Sequence, residues 1–240
     1  MKLKIIFISS LIFISNNIFA YNQNFTEAKK QLLSYYKNNP RLKTFYCDCG
    51  ISWIGKKGIP KKDICGYLPR NENSRSSRVE WEHVMPASWF GQQLQCWQNG
   101  GRQYCSQHDA NFRRMEGDMH NLFPVIGELN NDRSNFRFGV VNISAANYGS
   151  CDFKVDFKGR TVEPRDEIKG DVARAMLYMN KEYNLKISKT RLRILHAWSN
   201  SDPVSTAEIE RNNFIKIIQG NGNPFIEGSY LDRLKDVFFE

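Results

Sequence analysis

The sequence predicts an α+β fold that is mainly helical and forms a single domain. Five stretches carry apolar residues at the spacing of helices, whereas apolar and polar residues alternate over only two short segments. Hydrophobic residues make up 41% of the 240-residue chain and no short period runs through it, which excludes disordered, collagen-like and coiled-coil chains. No linker-like stretch divides the chain, so one large domain is favoured over two small ones.

Residues 1–20 have the pattern of a secretory signal peptide. Two lysines open the stretch, residues 5–14 are apolar apart from two serines, and Ala20 is a small residue at the expected cleavage position. A membrane anchor, the alternative, would need about 20 apolar residues, and neither this run nor any later segment is long enough. We therefore expect a mature domain of residues 21–240, in the periplasm or secreted, without membrane attachment.

The cysteines agree with export, because an even number of them in an exported chain indicates disulfide-stapled loops. The six are Cys47, Cys49, Cys65, Cys96, Cys105 and Cys151. Cys96 and Cys105 bracket a glycine-containing segment that could close on itself, whereas the other four allow three pairings. A zinc site is the competing interpretation, but Cys47 and Cys49 are too close in sequence for the usual ligand spacing.

The first half of the mature domain is predicted as one helix followed by a basic, irregular segment. Residues 26–39 have helical periodicity and Pro40 ends it. Residues 41–78 are rich in glycine and are expected to be irregular, with disulfides in place of regular structure. Residues 78–85 partly alternate and are predicted as a strand with one apolar and one acidic face.

In the middle of the chain a loop, a helix and a strand are expected. Residues 91–109 are rich in glycine and glutamine, which indicates a loop. Residues 122–138 are predicted as a helix with Pro124 in its first turn, and residues 153–157 as a strand that ends at Gly159.

Three amphipathic helices complete the fold. They are predicted over residues 171–183, 188–199 and 206–218. Asp171 is expected to be the N-cap of the first, and Gly220 follows the end of the last.

Glu82, His83 and Asn130 are the candidate chemical groups. A histidine can take a proton from water near neutral pH, and glutamate and asparagine supply the oxygen ligands that a cation such as Mg²⁺ prefers. Adjacent strand residues point to opposite faces, so a twist or bulge at the strand end is expected if Glu82 and His83 serve one pocket. The alternative is an ordinary surface Glu–His pair and a solvated or capping asparagine.

The amino-acid sequences of four segments resemble motifs of the endonuclease I family of exported, non-specific nucleases. The segments are Arg78-Val-Glu-Trp-Glu-His-Val-Met-Pro86, Gly117-Asp-Met-His-Asn-Leu-Phe-Pro124, Gly127-Glu-Leu-Asn-Asn-Asp-Arg-Ser-Asn135 and the region from Glu210 to Ile226. The resemblance extends from the N-terminal helix to about Glu227 and therefore covers most of the mature chain.

This resemblance implies a ββα-metal core and a metal-dependent endonuclease. His83 resembles the general base that activates water, and Glu82 and Asn130 resemble ligands of Mg²⁺, with Mn²⁺ or Ca²⁺ as alternatives in its place. Arg102 falls where the family places a phosphate-contacting arginine, and Glu116 where a supporting acid is expected. The implied reaction cleaves DNA and RNA to 5′-phosphate and 3′-hydroxyl ends.

Two arginines are further candidates for contact with substrate phosphates. Asn130, Arg133 and Arg137 lie three and four positions apart and would share one face of the predicted helix. A structural ion pair of Arg133 with Asp132 or a neighbour is the alternative. The remaining histidines and one asparagine carry weaker signals. His120 and Asn121 are further candidates, although His120 can equally be a buried, hydrogen-bonded residue, whereas His108 and His196 are interpreted as structural.

The charge of the mature chain favours a polyanionic partner. Without the two lysines of the signal, 32 basic residues face 25 acidic ones, a net charge of +7. No motif for sequence-specific recognition is present, so contact with the nucleic-acid backbone is expected. The protein is expected to act as a monomer. The rival hypothesis is a non-catalytic cationic protein that binds nucleic acid outside the cell.

Overall fold

Helices dominate the computed structural model, which describes residues 23–142 and 148–228, and short strands complete an α+β fold as predicted. The predicted signal peptide, residues 1–20, lies outside the described residues. The helices are α1 Phe25–Asn38, α2 Lys62–Cys65, α3 Ala87–Gly91, α4 Gly101–His108, α5 Ala110–Glu116, α6 Gly127–Arg133, α7 Lys169–Glu182, α8 Lys189–Ser201 and α9 Thr206–Gln219. The strands are β1 Ile51–Ile54, β2 Lys57–Pro60, β3 Val79–His83, β4 Leu122–Ile126, β5 Arg137–Phe138, β6 Lys154–Asp156 and β7 Thr161–Glu163. Three 3₁₀ turns cover Gln95–Asn99, Met119–Asn121 and Asp166–Ile168.

Strands β3 and β4 pair antiparallel, and α6 follows β4 directly. Their register runs from Val79 opposite Ile126 to His83 opposite Leu122. The predicted helix over residues 122–138 is therefore wrong in its first part, which is strand β4, and in its last, which is β5. Every residue of β4 is buried, and a continuous apolar run does not distinguish a buried strand from a buried helix.

The segment of residues 41–78 is more regular than its composition indicates. Strands β1 and β2 form an antiparallel hairpin, which corrects the expectation of an irregular segment. Two disulfides hold this region, Cys49–Cys65 within it and Cys47–Cys151 to a distant part of the chain.

The predicted loop of residues 91–109 is also wrong, because it contains a 3₁₀ turn and helix α4. The predicted Cys96–Cys105 disulfide is confirmed, and it fastens the turn to the helix. All six cysteines are paired, so the alternative of a cysteine zinc site is wrong.

The three C-terminal helices are confirmed with small shifts at their ends. Ser188 caps α8, and Ser205 and Glu208 form a reciprocal capping box at the start of α9. Helix α7 begins at Lys169, so Asp171 lies in its first turn and is not the predicted N-cap.

The remaining strands form a small sheet beside the main core. Its order is β5-β7-β6, with β5 parallel and β6 antiparallel to β7. The strand predicted over residues 153–157 is thus confirmed over its centre, β6. The main apolar core joins the sheets to α3, α5, α7 and α8, and a smaller cluster joins α1 to α9. Among the described residues, no helix has the length and apolar character to cross a bilayer.

Candidate active site

A cleft of about 600 Å³ brings the predicted chemical residues together. Glu82 and His83 reach it from the end of β3, Asn130 and Arg133 from α6, and Arg102 from α4. Groups that lie 47 positions apart in sequence therefore share one cavity.

A twist or bulge was expected at the end of β3, and the bulge is wrong, because the β3–β4 ladder pairs one residue with one throughout. Among the described residues β3 has a strand neighbour on only one edge. Side chains from both faces of the strand can therefore border a cleft at its open edge and its end. Glu82 and His83 do so without a change of register.

The ring of His83 is fixed in one tautomer by a backbone carbonyl. Its Nε2 lies 2.8 Å from the carbonyl oxygen of Glu116, and because a carbonyl can only accept, Nε2 carries the hydrogen. Nδ1 is then the atom with a free lone pair. The ring packs against Phe25 at 4.9 Å and Phe90 at 6.3 Å between centroids. Burial, aided by the charge of Arg102, lowers the pKa of His83 to about 3.

Glu116 and Arg102 support this arrangement from outside. Arg102 Nε donates a hydrogen bond of 2.6 Å to Glu116 Oε1, and the arginine side chain remains 48% exposed. Gly117 allows the chain to pass here, because a Cβ at this position would lie 2.4 Å from the carbonyl carbon of Asn24. The start of α1 can therefore lie beside the carbonyl that holds His83.

One carboxylate oxygen of Glu82, Oε1, contacts other side chains of the protein. Its Oε1 accepts a hydrogen bond of 2.8 Å from the hydroxyl of Tyr46 and lies 3.1 Å from Arg133 Nη1. Among the described residues no side chain donates a hydrogen bond to the second oxygen, Oε2, and the backbone of His83 also hydrogen-bonds this carboxyl. Burial raises the pKa of Glu82 to about 6, although Arg133 and Tyr46 oppose that change.

Asn130 is oriented by a second glutamate. Its Nδ2 donates a hydrogen bond of 2.9 Å to Glu80 Oε2, so its amide oxygen is left for another partner. Arg75 and Arg78 also donate to Glu80, and although burial opposes it, these bonds lower the pKa of this carboxyl. Gly127 permits the contact, because a Cβ there would lie 2.8 Å from Glu80 Oε1.

These donors fit a hard cation that keeps much of its water. Glu82 and Asn130 each present an oxygen without a side-chain donor among the described residues, and oxygen is the ligand type that Mg²⁺ prefers. Within the described ranges, no cluster of three or more His, Cys, Asp or Glu side chains could form a fuller metal cage. A site with two protein ligands suits Mg²⁺, which is often bound by few protein groups.

The shared helix face predicted for Asn130, Arg133 and Arg137 is wrong for Arg137, because α6 ends at Arg133. Arg133 is 1% exposed and donates to the carbonyls of His83 and Val84 as well as pairing with Glu82. The ion-pair alternative thus describes Arg133, although its partner is not Asp132, which pairs with Arg70. Arg137 lies in β5 and is exposed.

The other candidates serve the fold. His120 is buried and its Nε2 contacts the carbonyl of Asn221 at 3.0 Å. Asn121 bonds both backbone groups of Met85 through its amide. His108 lies on the surface and contacts the carbonyl of Tyr104 through Nδ1, at 3.0 Å.

Three residues of the site carried no clear signal in the sequence. Glu80 could have been found, since it precedes Glu82 by two positions and shares its face of the strand. Tyr46 and Phe25 lie far from β3 in sequence, and nothing local connects them to Glu82 or His83.

Comparison with known proteins shows which family the sequence matches. The family model of Endonuclease I matches residues 14–229. The chain is 50% identical over 206 residues to an extracellular deoxyribonuclease of Aeromonas hydrophila, which covers 85% of this chain and 88% of that protein. A periplasmic deoxyribonuclease of the same species is 48% identical over 85% of this chain and 86% of its own length. Endonuclease-1 of Buchnera aphidicola subsp. Acyrthosiphon pisum is 45% identical over 85% and 80% of the two chains.

The family model and these relatives match most of the chain, and the elements β3 and α6 bring a histidine and two oxygen ligands to one cleft. The protein therefore belongs to the Endonuclease I family.

Proposed function

We propose that this protein is a metal-dependent endonuclease that hydrolyses phosphodiester bonds of DNA, and also of RNA, without sequence specificity. The products would carry 5′-phosphate and 3′-hydroxyl ends. The observation that carries the proposal is the free Nδ1 of His83 in the same cleft as the open oxygens of Glu82 and Asn130. The names of the relatives, deoxyribonuclease and endonuclease, support it.

In this mechanism His83 acts as the general base. Its Nδ1 accepts a proton from the attacking water, while the Glu116 carbonyl holds Nε2–H and thereby the direction of the ring. Because burial lowers the pKa of His83, the imidazole is neutral at physiological pH and its Nδ1 is not already protonated.

Glu82 and Asn130 would hold the divalent cation, with Mg²⁺ expected and Mn²⁺ or Ca²⁺ as alternatives. Such an ion, when bound, supplies positive charge that stabilises the phosphorane and the leaving oxygen. Arg133 keeps Glu82 in place from the buried side. Arg102, half exposed beside the cleft, would contact a substrate phosphate, and Glu116 orients it.

We place the protein in the periplasm or outside the cell, as a single mature domain of residues 21–240 released from a signal peptide. Three disulfides support an oxidising compartment. The names of two relatives, extracellular and periplasmic deoxyribonuclease, point the same way.

The deciding experiment compares the mature protein with His83→Ala on plasmid DNA, linear DNA and RNA. Removing a general base is expected to lower the cleavage rate by about 10²–10⁴-fold, with DNA binding retained. EDTA should abolish cleavage of the unmodified protein and added Mg²⁺ should restore it. His108→Ala, which removes an exposed histidine of α4, is the matched control and should cut at the normal rate.

Cleavage by His83→Ala at the rate of the unmodified protein would refute the role of His83. Tight, salt-sensitive DNA binding without any product in Mg²⁺ would instead support the rival hypothesis of a cationic nucleic-acid-binding protein.

A further inference from the structure

Two arginines close in the fold to Asn135 of the cleft have no acidic partner among the described residues. Arg137 of β5 is exposed, and Arg191 of α8 is half-buried. Within residues 23–142 and 148–228, neither side chain forms an ion pair with a carboxylate. Several other arginines of the protein pair with acidic groups, such as Arg70 with Asp132 and Arg114 with Glu182.

Arg191 is connected to the wall of the cleft through Trp89. The guanidinium carbon of Arg191 lies 4.4 Å from the centroid of the Trp89 ring, a cation–π contact that holds the long side chain in place. The indole Nε1 of Trp89 donates a hydrogen bond of 3.2 Å to the carbonyl of Asn135. Asn135 itself lines the cleft, so two contacts connect Arg191 to a residue of the cleft.

Arg137 approaches the same place from the other side. It follows Asn135 by two residues and begins β5. The two arginines are connected through Trp89, which contacts Arg191 and donates to the carbonyl of Asn135, two positions before Arg137; burial and, second, the positive charge of Arg137 lower the pKa of Arg191, in agreement with that arrangement. Two guanidiniums held near each other without a carboxylate repel, and an anion between them would remove that repulsion.

Helix α8 carries a second arginine, Arg193, which does not share the position of Arg191 against Trp89. Arg191 shares a helical face with the buried Leu195 and Trp198, since positions four and seven apart lie on one side. Arg193 lies about 200° around the helix from Arg191, and it is exposed. The two arginines therefore carry the same charge on opposite faces of one helix.

We propose that Arg137 and Arg191 form a second phosphate-binding subsite, which holds the backbone of a polynucleotide beyond the scissile bond. The inference rests on the proposed nuclease function and extends it to long substrates. Guanidinium groups suit phosphate oxygens through their planar arrangement of donors, and contacts to the backbone carry no sequence information. The subsite would make α8 part of the substrate-binding surface.

Binding to a fluorescent DNA duplex tests the subsite, with His83→Ala as the background so that the probe stays intact. Arg137→Ala with Arg191→Ala is compared with Arg193→Ala between about 50 and 200 mM salt. Two lost phosphate contacts should reduce the slope of log Kd against log salt by about 1.8 and weaken binding about fivefold or more at the lower salt concentration. Arg193→Ala should change both quantities little, and Arg191→Lys should retain the slope because it retains the charge.

Catalysis gives an independent readout when His83 is intact. Bis(p-nitrophenyl) phosphate is a diester too small to reach from the scissile position to the subsite, whereas duplex DNA spans both. In the double variant, the loss of kcat/KM on duplex DNA should exceed the loss on the small diester by about fivefold or more, in line with the binding loss.

The outcomes separate the two proposals. A double variant with the same Kd and salt slope as Arg193→Ala would overturn the subsite, as would Arg191→Lys if it lost as much slope as Arg191→Ala. Failure of the unmodified protein to hydrolyse either substrate in Mg²⁺ would overturn the proposed function instead.

Discussion

Two buried arginine–glutamate pairs lie in different regions of the molecule and differ in how completely the carboxylate is used. Arg174 of α7 bonds both oxygens of Glu208, with distances of 2.7 and 2.8 Å, and the backbone of Ser205 donates to Oε2. Arg133 of α6 lies 3.1 Å from Oε1 of Glu82, the oxygen to which the Tyr46 hydroxyl also donates. Both glutamates are more than nine-tenths buried.

The difference separates a carboxylate that holds helices together from one that is available to a ligand. A buried carboxylate needs partners for its charge and its lone pairs. Glu208 finds them within the protein, whereas Glu82 lines the cleft and its Oε2 has no side-chain donor among the described residues. Burial and ion pairing alone therefore do not identify a candidate ligand, and the unfilled oxygen is the informative feature.

The comparison predicts opposite outcomes for the same substitution. Glu82→Gln should lower nuclease activity by at least about 100-fold, more than the 10–100-fold typical when a group behind a metal ligand is lost. Glu208→Gln should lower the free energy of unfolding by about 3–5 kcal/mol because it breaks a buried pair, while the molecules that remain folded keep their activity. Urea denaturation and plasmid cleavage, measured on both variants, check this.

If Glu82→Gln cut DNA normally, or if Glu208→Gln were inactive while fully folded, the distinction between the two carboxylates would be wrong.

Glu80 should affect the metal through Asn130. In Glu80→Gln the amide of Asn130 loses its charged partner, and we expect the apparent affinity for Mn²⁺ to fall by about 10–100-fold. Electron paramagnetic resonance of free Mn²⁺ measures this without any cleavage assay. Glu72→Gln, at an exposed position in the segment before β3, is the control, and equal affinity in the two variants would show that Glu80 does not contribute to the site.

Reduction of the disulfides should destabilise the region around the cleft more than the C-terminal helices. All three disulfides lie between residues 47 and 151, and a structural disulfide typically contributes about 2–4 kcal/mol. Strong reductant should lower the melting temperature, and hydrogen exchange should show β1–β3 and α4 losing protection while α7–α9 retain more of theirs. An unchanged melting temperature would contradict a stabilising role for these bonds.

Asp171, beside the Arg174–Glu208 pair, should give the smallest effect. Burial and the nearby charge of Glu208 raise the pKa of Asp171 to about 8. The ionised form is therefore the less stable one in the folded protein, and stability falls as pH rises from near 4 toward 8. The side chain keeps 16% exposure, so we expect Asp171→Asn to reduce the fall in melting temperature between pH 5 and pH 8 by only about 2–4 °C. A steeper fall in the variant would refute the direction.

The sequence was most informative where local patterns decide the structure. The helices α1, α8 and α9 were predicted to within one or two residues, because their apolar spacing, serine caps and the glycine after α9 act locally. Leu122–Ile126 was misassigned since a short apolar run has no period of its own, and Pro124 is tolerated in a two-stranded sheet with a free edge. Helix α4 was missed because its glycines and glutamines indicated a loop.

For the candidate site, the sequence predicted Glu82, His83 and Asn130, which line one cleft, but not the contacts that orient their side chains. The tautomer of His83 depends on the carbonyl of Glu116, and the open oxygen of Glu82 depends on Tyr46. These partners lie 33 and 36 positions away in sequence, so no local pattern could reveal them.

The packing of Phe25 against His83 has a practical consequence for anyone producing the protein. If the mature chain begins near Tyr21, as its sequence indicates, the first ring to cover the imidazole is only a few residues from the new terminus. An affinity tag at that end, or cleavage of the signal peptide at another residue, would add or remove chain close to the cleft that Phe25 and His83 line. Purification handles therefore belong elsewhere, and activity should be compared only between preparations that share the same first residue.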